Sequence, residues 1–244
     1  VVILKLGYNK ITIFQPINME EEKILTQADI EHEIRAAEME NRLADFSNKS
    51  FSNFLLLGKE TNVGLNLEGA KIKGSVSLGG TKIGGDLILK NATLGGAFYF
   101  GDGEIGGNID FSGGKIKGVL NMVGSRVNGS LLFSDLEVNG FLSLAKAKIS
   151  QDIDFRRIKV KNSTYEGLTI LGDLYLNQAI IQGNMDITEG VIDGNLDLSV
   201  ICIQKTVDLT SATIGNLLFL RDALIRGNLV IEHTKYKKII RHFV

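Results

Sequence analysis

The feature that most limits how this chain can fold is a period of eleven residues. From Ile72 an aliphatic residue recurs at Ile83, Leu94, Ile105, Ile116, Val127, Val138, Ile149 and Val160, then resumes as Ile170, Ile181, Ile192, Ile203, Ile214 and Ile225. All 15 of these anchors are apolar, and Gly stands two residues after 11 of them. A second apolar column follows four residues after each anchor, from Val76 to Leu229. A third follows at six, from Leu78 to Ile231. The unit reads I-x-G-x-L-x-L-x-x-x-x, and weaker copies at Phe54/Leu56 and Leu65/Leu67 start the array near Ser50.

The L-x-L pair places two side chains on one face of an extended segment. The recurring Gly permits either a positive φ or a close backbone approach at a corner. A helix with the same period is excluded, because each interior Gly costs roughly 1 kcal/mol there. With 28 Gly, one Pro and no Trp, the composition fits neither collagen nor a Pro-rich linker and agrees with repeated tight turns. Eleven extended residues span only about 36 Å, too small a perimeter to enclose facing side chains from sheets about 10 Å apart. Two units per coil solve this. The sequence therefore predicts about 8.5 coils of about 22 residues, stacked ~4.8 Å apart into a rod on the order of 40 Å long.

The segments Ala70-Lys71-Ile72-Lys73-Gly74, Ala92-Thr93-Leu94-Gly95-Gly96, Ala147-Lys148-Ile149-Ser150-Gln151 and Ala212-Thr213-Ile214-Gly215-Asn216 share a small residue two positions before a central aliphatic one. In this the chain resembles the pentapeptide-repeat proteins, with five- and six-residue spacings alternating. The resemblance implies a right-handed, four-sided β-helix. Bactofilins share the Gly-rich aliphatic texture without the strict period. The hexapeptide acyltransferases need a period of six and a catalytic His that the repeats do not carry.

The expected organisation is an all-β fold in three parts: an N-terminal segment with a capping α-helix over 1–49, a β-solenoid over 50–234, and a C-terminal cap or contact tail over 235–244. Asn18, ahead of Met19-Glu20-Glu21-Glu22, and Thr26 are both candidate helix starts. From Ala28 to Phe46, the residues Ile30, Ile34, Ala37, Leu43 and Phe46 form an apolar stripe that suits a helix plugging the first coil. Starting at Val1 rather than Met, the chain reads as processed or incomplete, and Val1–Phe14 lacks the cleavage site of a signal peptide.

Chemistry is sparse. His32, His233 and His242 lie outside the regular array, and none is near Cys202, so no nucleophile and base can be paired. Cys202 reads as a packing residue. With one cysteine no internal disulfide can form, which agrees with a reducing compartment and favours the cytoplasm. Asp110, Asp154, Asp186, Asp197 and Asp208 occupy the position between the two L columns. Asp186 and Asp208 would stack one coil apart, which makes them candidates for a cation, with a solvated face the preferred reading. Lysines recur as Lys71/Lys73, Lys115/Lys117 and Lys159/Lys161, and Lys82, Arg126 and Lys148 form a second column. Glu137 and Glu104 interrupt these columns, so a mixed-charge face is preferred to a polyanion stripe. The spacing drops to ten between Val160 and Ile170, where the core columns carry Thr164 and Glu166. A bulge, a functional site or a loop at one corner would explain that defect.

These readings lead to a non-enzymatic scaffold that binds an unidentified protein partner. The charges nearly cancel, 27 Lys+Arg against 28 Asp+Glu, so no nucleic acid is expected as a partner. No run of about 18 apolar residues is present to span a membrane as a helix. No cofactor is expected. The array runs to Ile231, leaving the last coil thinly covered. A homodimer through that end is therefore expected, with Tyr236, Ile239, Ile240 and Phe243 as anchors and Lys237, Lys238 and Arg241 at the rim. Two alternatives stand beside it: mimicry of DNA toward a type II topoisomerase, implied by the resemblance alone, and a bactofilin-like polymer.

Overall fold

The computed structural model describes residues 2–6, 9–13, 23–165 and 168–241. Residues Val2–Leu6 and Asn9–Ile13 pair as an antiparallel hairpin. Beyond them the chain winds into a parallel β-solenoid with about 22 residues per turn. Four sheets of nine, eight, nine and nine strands form its faces. One coil shows the rule. Lys71–Ile72 lies on the first face, Val76–Ser77 on the second, Lys82–Ile83 on the third and Leu87–Ile88 on the fourth. The chain then returns to the first face at Thr93–Leu94, directly beside Lys71–Ile72. Two eleven-residue units thus make one coil, and identical positions pair between coils, as in Ile83 with Ile105 and Leu87 with Ile109.

The three apolar columns point inward. Ile116, Leu120 and Met122 are at most 1% exposed, as are Val127, Leu131 and Phe133 in the next unit. A fourth inward column lies two residues before each anchor, where Ala70, Ala92, Ala147 and Ala212 are fully buried. Small residues suit this place because the corner brings it against the six-position side chain. At Gly103 an added Cβ would lie 2.5 Å from the Phe100 ring. Phe98, Phe111, Phe133 and Phe155 run along the core with successive ring centroids 5.5, 6.1 and 5.6 Å apart.

The two corners of each unit bend by different means. Eight residues after the anchor the backbone turns left-handed, whether the residue is Asn91 (φ 57°), Asp102 (φ 54°) or Gly124 (φ 72°). Two residues after the anchor the glycines answer a close approach instead, Gly140 with its φ of 143° excepted. A Cβ on Gly107 would fall 2.1 Å from Asp86 Oδ1 of the coil before. That oxygen accepts hydrogen bonds from the backbone N–H (2.7 Å) and side-chain amide (3.3 Å) of Asn108, and Asn108 Oδ1 in turn accepts from Ser130 N–H at 2.8 Å. The same side-chain ladder joins Asp152, Asn184 and Thr206, and Asp173, Asn195 and Leu217.

The helix spans Gln27–Glu40, shorter than the stripe suggests. Thr26 caps it, with Thr26 and Asp29 satisfying each other's backbone N–H, and Asn41 ends it in a left-handed conformation. Asn18 and residues 19–22 lie outside the described residues. Leu43 is 42% exposed, whereas Phe46 turns into the first coil and packs edge-on against Phe51 and Phe54. The ladders also begin before Ser50. Ala44–Asp45 pairs with Leu65–Asn66 on the fourth face, and Ile24–Leu25 with Ser50–Phe51 on the first.

The defect at 160–170 is an insertion rather than a shortened repeat. Ser163–Tyr165 and Leu168–Ile170 pair antiparallel with each other rather than with the coils, so Ile170 is no anchor and Thr164 fills no core column, while Glu166 lies outside the described residues. Val160 keeps its place opposite Ile192, and the coil resumes at Leu174 beside Leu142. Corner bonds that elsewhere join residues 22 apart here join Asp152 and Asn184, 32 apart. Ten inserted residues look like a one-residue slip because ten is one short of the period.

Ile116→Asp should cost several kcal/mol, because it buries an unpaired charge at 1% exposure, whereas exposed Lys117→Asp should leave the melting temperature within a few degrees. Equal shifts in thermal melts would refute this register. Val200, 51% exposed, holds φ 56°, a conformation that costs an ordinary side chain roughly 1–2 kcal/mol and a β-branched one at least as much. Val200→Asn should therefore raise the melting temperature, read by the same melts.

Candidate interaction surfaces

A stack of coils exposes strand edges and core at each end, and the two ends of this rod differ. At the N-terminal end Ile30, Ile34 and Ala37 of the helix are buried on the first coil. Its polar side chains partner backbone groups on three faces. Gln27 Nε2 donates to Leu55 O (2.9 Å), while Glu33 Oε1 accepts from Asp45 N–H (2.9 Å) and Glu38 Oε1 from Asn62 N–H (3.4 Å). Arg42 binds Glu33 from the other side. That guanidinium, followed by the Asp45 N–H, holds the Glu33 carboxyl below the usual carboxylate range despite partial burial.

The C-terminal end has no helix among the described residues. Ile225, Leu229 and Ile231 pack on the core yet are only partly buried, unlike their counterparts one coil below, where Ile203, Val207 and Leu209 are fully buried. Lys238–Ile240 adds a ninth strand to the second face, with Ile239 beside inward Leu218 and Ile240 beside outward Phe219. Of the residues expected to anchor a partner, Ile239 thus packs partly on the core, Ile240 is half-buried and Tyr236 is 36% exposed. Phe243 lies outside the described residues.

Along the sides, the fourth face stacks Asp154, Asp186 and Asp208 on successive coils. Asp197 stands apart on the second face, between Tyr175 and Phe219. Each stacked carboxylate accepts a bond from the N–H two residues on: Asp186 from Thr188 (2.9 Å) and Asp208 from Thr210 (2.8 Å). Arg156 lies 2.6 Å from Asp154 and 3.9 Å from Asp186, so a cation of the chain itself answers part of the repulsion. No group of three His, Cys, Asp or Glu among the described residues is placed to hold a metal ion. The third face alternates Glu60, Lys82, Glu104 and Arg126, then Lys148, with Lys82 Nζ 2.6 Å from Glu60. It turns apolar toward the C-terminal end through Ile180, half-buried Cys202 and Leu224.

The hairpin is tied at its base. Asn162 Oδ1 accepts from Gly172 N–H (2.7 Å), and Asp193 accepts from Asn162 N–H (3.0 Å). Nearby, Asp173, 4% exposed, takes the Asn195 N–H (2.6 Å) and the Tyr175 hydroxyl (2.6 Å). Burial, with that carboxylate beside it, pushes the Tyr175 phenol up to about 12. The side-chain ladder at the corners and the helix side chains at the strand edges are the polar features missed in reading the sequence. The Gly followed by Asp, Asn or Ser, as in Gly85-Asp86, Gly107-Asn108 and Gly129-Ser130, is the signal that could have revealed the ladder.

No family model, curated protein or solved structure matches the chain.

Because the folded pKa of Glu33 is depressed, the stability it contributes is present above the unfolded carboxylate value near 4.5 and is lost as pH falls through the folded value. Glu33→Gln should therefore melt a few degrees below the wild type at pH 7, and the gap should close on acidification below about pH 4. A gap independent of pH would show that the carboxylate charge is not what holds the cap.

Proposed function

We propose that the chain is a non-catalytic, rigid β-helical scaffold, a pentapeptide-repeat variant with an eleven-residue unit, that pairs with a second copy of itself through its C-terminal end and offers its flat faces to a macromolecular partner. The pentapeptide assignment is supported by the buried small residue two before the anchor, at Ala70, Ala92, Ala147 and Ala212. The pairing rests on one observation, the inequality of the ends. The helix supplies apolar cover and hydrogen-bond partners at one end, while at the other Ile225, Leu229 and Ile231 stay partly exposed beside the outermost strands of the third and fourth faces.

A two-fold contact brings two such edges together antiparallel, which allows ladder hydrogen bonds and buries both apolar ends. It also closes the assembly. Head-to-tail stacking has to displace the helix, with its buried Ile30 and Ala37, before an open filament can grow. Leu224, 50% exposed at the edge of the same coil, extends the apolar surface onto the third face.

Sedimentation equilibrium across the micromolar range tests the pairing. A dimer is expected, dissociated at least tenfold more readily by combining Tyr236→Asp with Leu224→Asp, both at exposed positions where the coils themselves tolerate charge. A monomer throughout, or a dimer indifferent to the double substitution, overturns the pairing. Light scattering that keeps growing with concentration replaces it with a polymer.

A further inference from the structure

Below the first complete coil, the helix stands where strands of the second and third faces would lie. Ile24–Leu25 pairs on the first face and Ala44–Asp45 on the fourth, and Gln27–Glu40 runs between them. The third face therefore starts only at Glu60–Thr61, which among the described strands pairs with Lys82–Ile83 alone. On this face alternate N–H groups point toward the N-terminal end: Lys82 N–H donates to Lys59 O (2.9 Å) and Gly84 N–H to Thr61 O (2.8 Å). Their counterparts in the first coil, the N–H groups of Glu60 and Asn62, face the helix instead. Glu38 Oε1 takes that of Asn62 at 3.4 Å, and that of Glu60 has no acceptor among the described residues.

Beside this donor the helix and the first coil part around a cavity of about 160 Å³, near the size of one that holds benzene. Its apolar wall is Ile34 and Leu56, 8% and 3% exposed, with buried Thr61 and Thr81 next to them. The rest of the lining is charged and unevenly matched. Lys59 pairs with Glu31, and Glu60 with Lys82. Arg35 reaches only that same Glu31, at 4.0 Å, and Glu38 has no ion-pair partner among the described residues. One guanidinium, one carboxylate and one N–H donor are thus left over around an apolar hollow. Arg35 and Glu38, three residues apart on the helix, are neighbours on one face. A plain carboxylate would answer Arg35 and the Glu60 N–H but meet the uncompensated Glu38, and a plain amine would leave the N–H without an acceptor. An α-amino acid carries an ammonium and a carboxylate on one carbon and answers all three groups.

We propose that this cavity binds a free α-amino acid with a small branched apolar side chain, of the leucine or valine kind. Its carboxylate accepts from the Glu60 N–H and Arg35, its ammonium lies against Glu38, and its side chain packs on Ile34 and Leu56. The site is independent of the pairing at the C-terminal end. It gives the helix a role beyond covering the first coil, because a ligand held by both ties the cap to the rod.

Calorimetric titration of the whole chain with L-leucine tests it. Isocaproate, which lacks the ammonium, and isoamylamine, which lacks the carboxylate, are the comparators. One saturable site is expected for leucine, with either comparator bound at least tenfold more weakly. Arg35→Gln and Glu38→Gln should each weaken leucine binding about fivefold or more. Arg35 is exposed, and a glutamine at position 38 keeps an oxygen for the Asn62 N–H, so melting curves of both variants should stay close to wild type. No saturation at millimolar leucine, a comparator that binds as tightly as leucine, or an affinity unchanged by both substitutions would each overturn the proposal.

Discussion

Everything in this molecule depends on the hydrogen-bond ladder that sets each coil on the one below. The strands are mostly two residues long, far too short to be stable as isolated pairs, and they persist because every coil repeats the same four pairings at once. A stack of this kind demands equal perimeters. A coil that gained one residue would carry its inward columns to the outside. The chain meets that demand with two eleven-residue units per coil, and it accommodates ten extra residues only by expelling them as a hairpin between Lys161 and Gly172.

The corners follow from the same condition. Where the chain turns between faces, the N–H groups of Asn108, Ser130 and Asn195 meet a side-chain oxygen of the neighbouring coil rather than a backbone carbonyl, and a buried donor without a partner is costly. Asp86, Asn108 and Ser130, or Asp173 and Asn195, extend the ladder into the corners with side-chain oxygens. The oxygens lie over the glycines of the next coil, which explains why Gly107 and Gly96 can carry no side chain without displacing Asp86 or Ser75. Glycine and acceptor are thus two halves of one device.

An uninterrupted stack exposes core and strand edges wherever it stops, so its ends need cover that its middle does not. The helix stops growth at one end by covering the first core and pairing the free backbone groups through Gln27, Glu33 and Glu38. Among the described residues the opposite end keeps half-buried aliphatic side chains on its last coil and no helix over them. Charge divides between the sides in the same orderly manner. Because a position keeps its face from coil to coil, lysines two coils apart gather on the first face and aspartates on successive coils gather on the fourth. A chain of nearly zero net charge thereby presents basic and acidic surfaces at once.

The period, the strand character, the inward columns and the coil of two units were all legible in the sequence, because each coil meets the same surroundings and the same residue types recur. The apolar stripe around Ile30 and Ile34 likewise announced the plug. Other features appear only in three dimensions. The stripe did not show that the helix ends at Asn41 while Phe46 belongs to the first coil, since an apolar residue serves either element and only packing against Phe51 and Phe54 decides. Ile170 had the right chemistry for an anchor and the wrong neighbours, because a hairpin that pairs with itself has left the ladder. Whether the recurring glycine served a positive φ or a close approach was open until the next coil placed Asp86 over Gly107. Local composition determined what each unit could become; contacts between residues a full coil apart decided which of those uses each residue took.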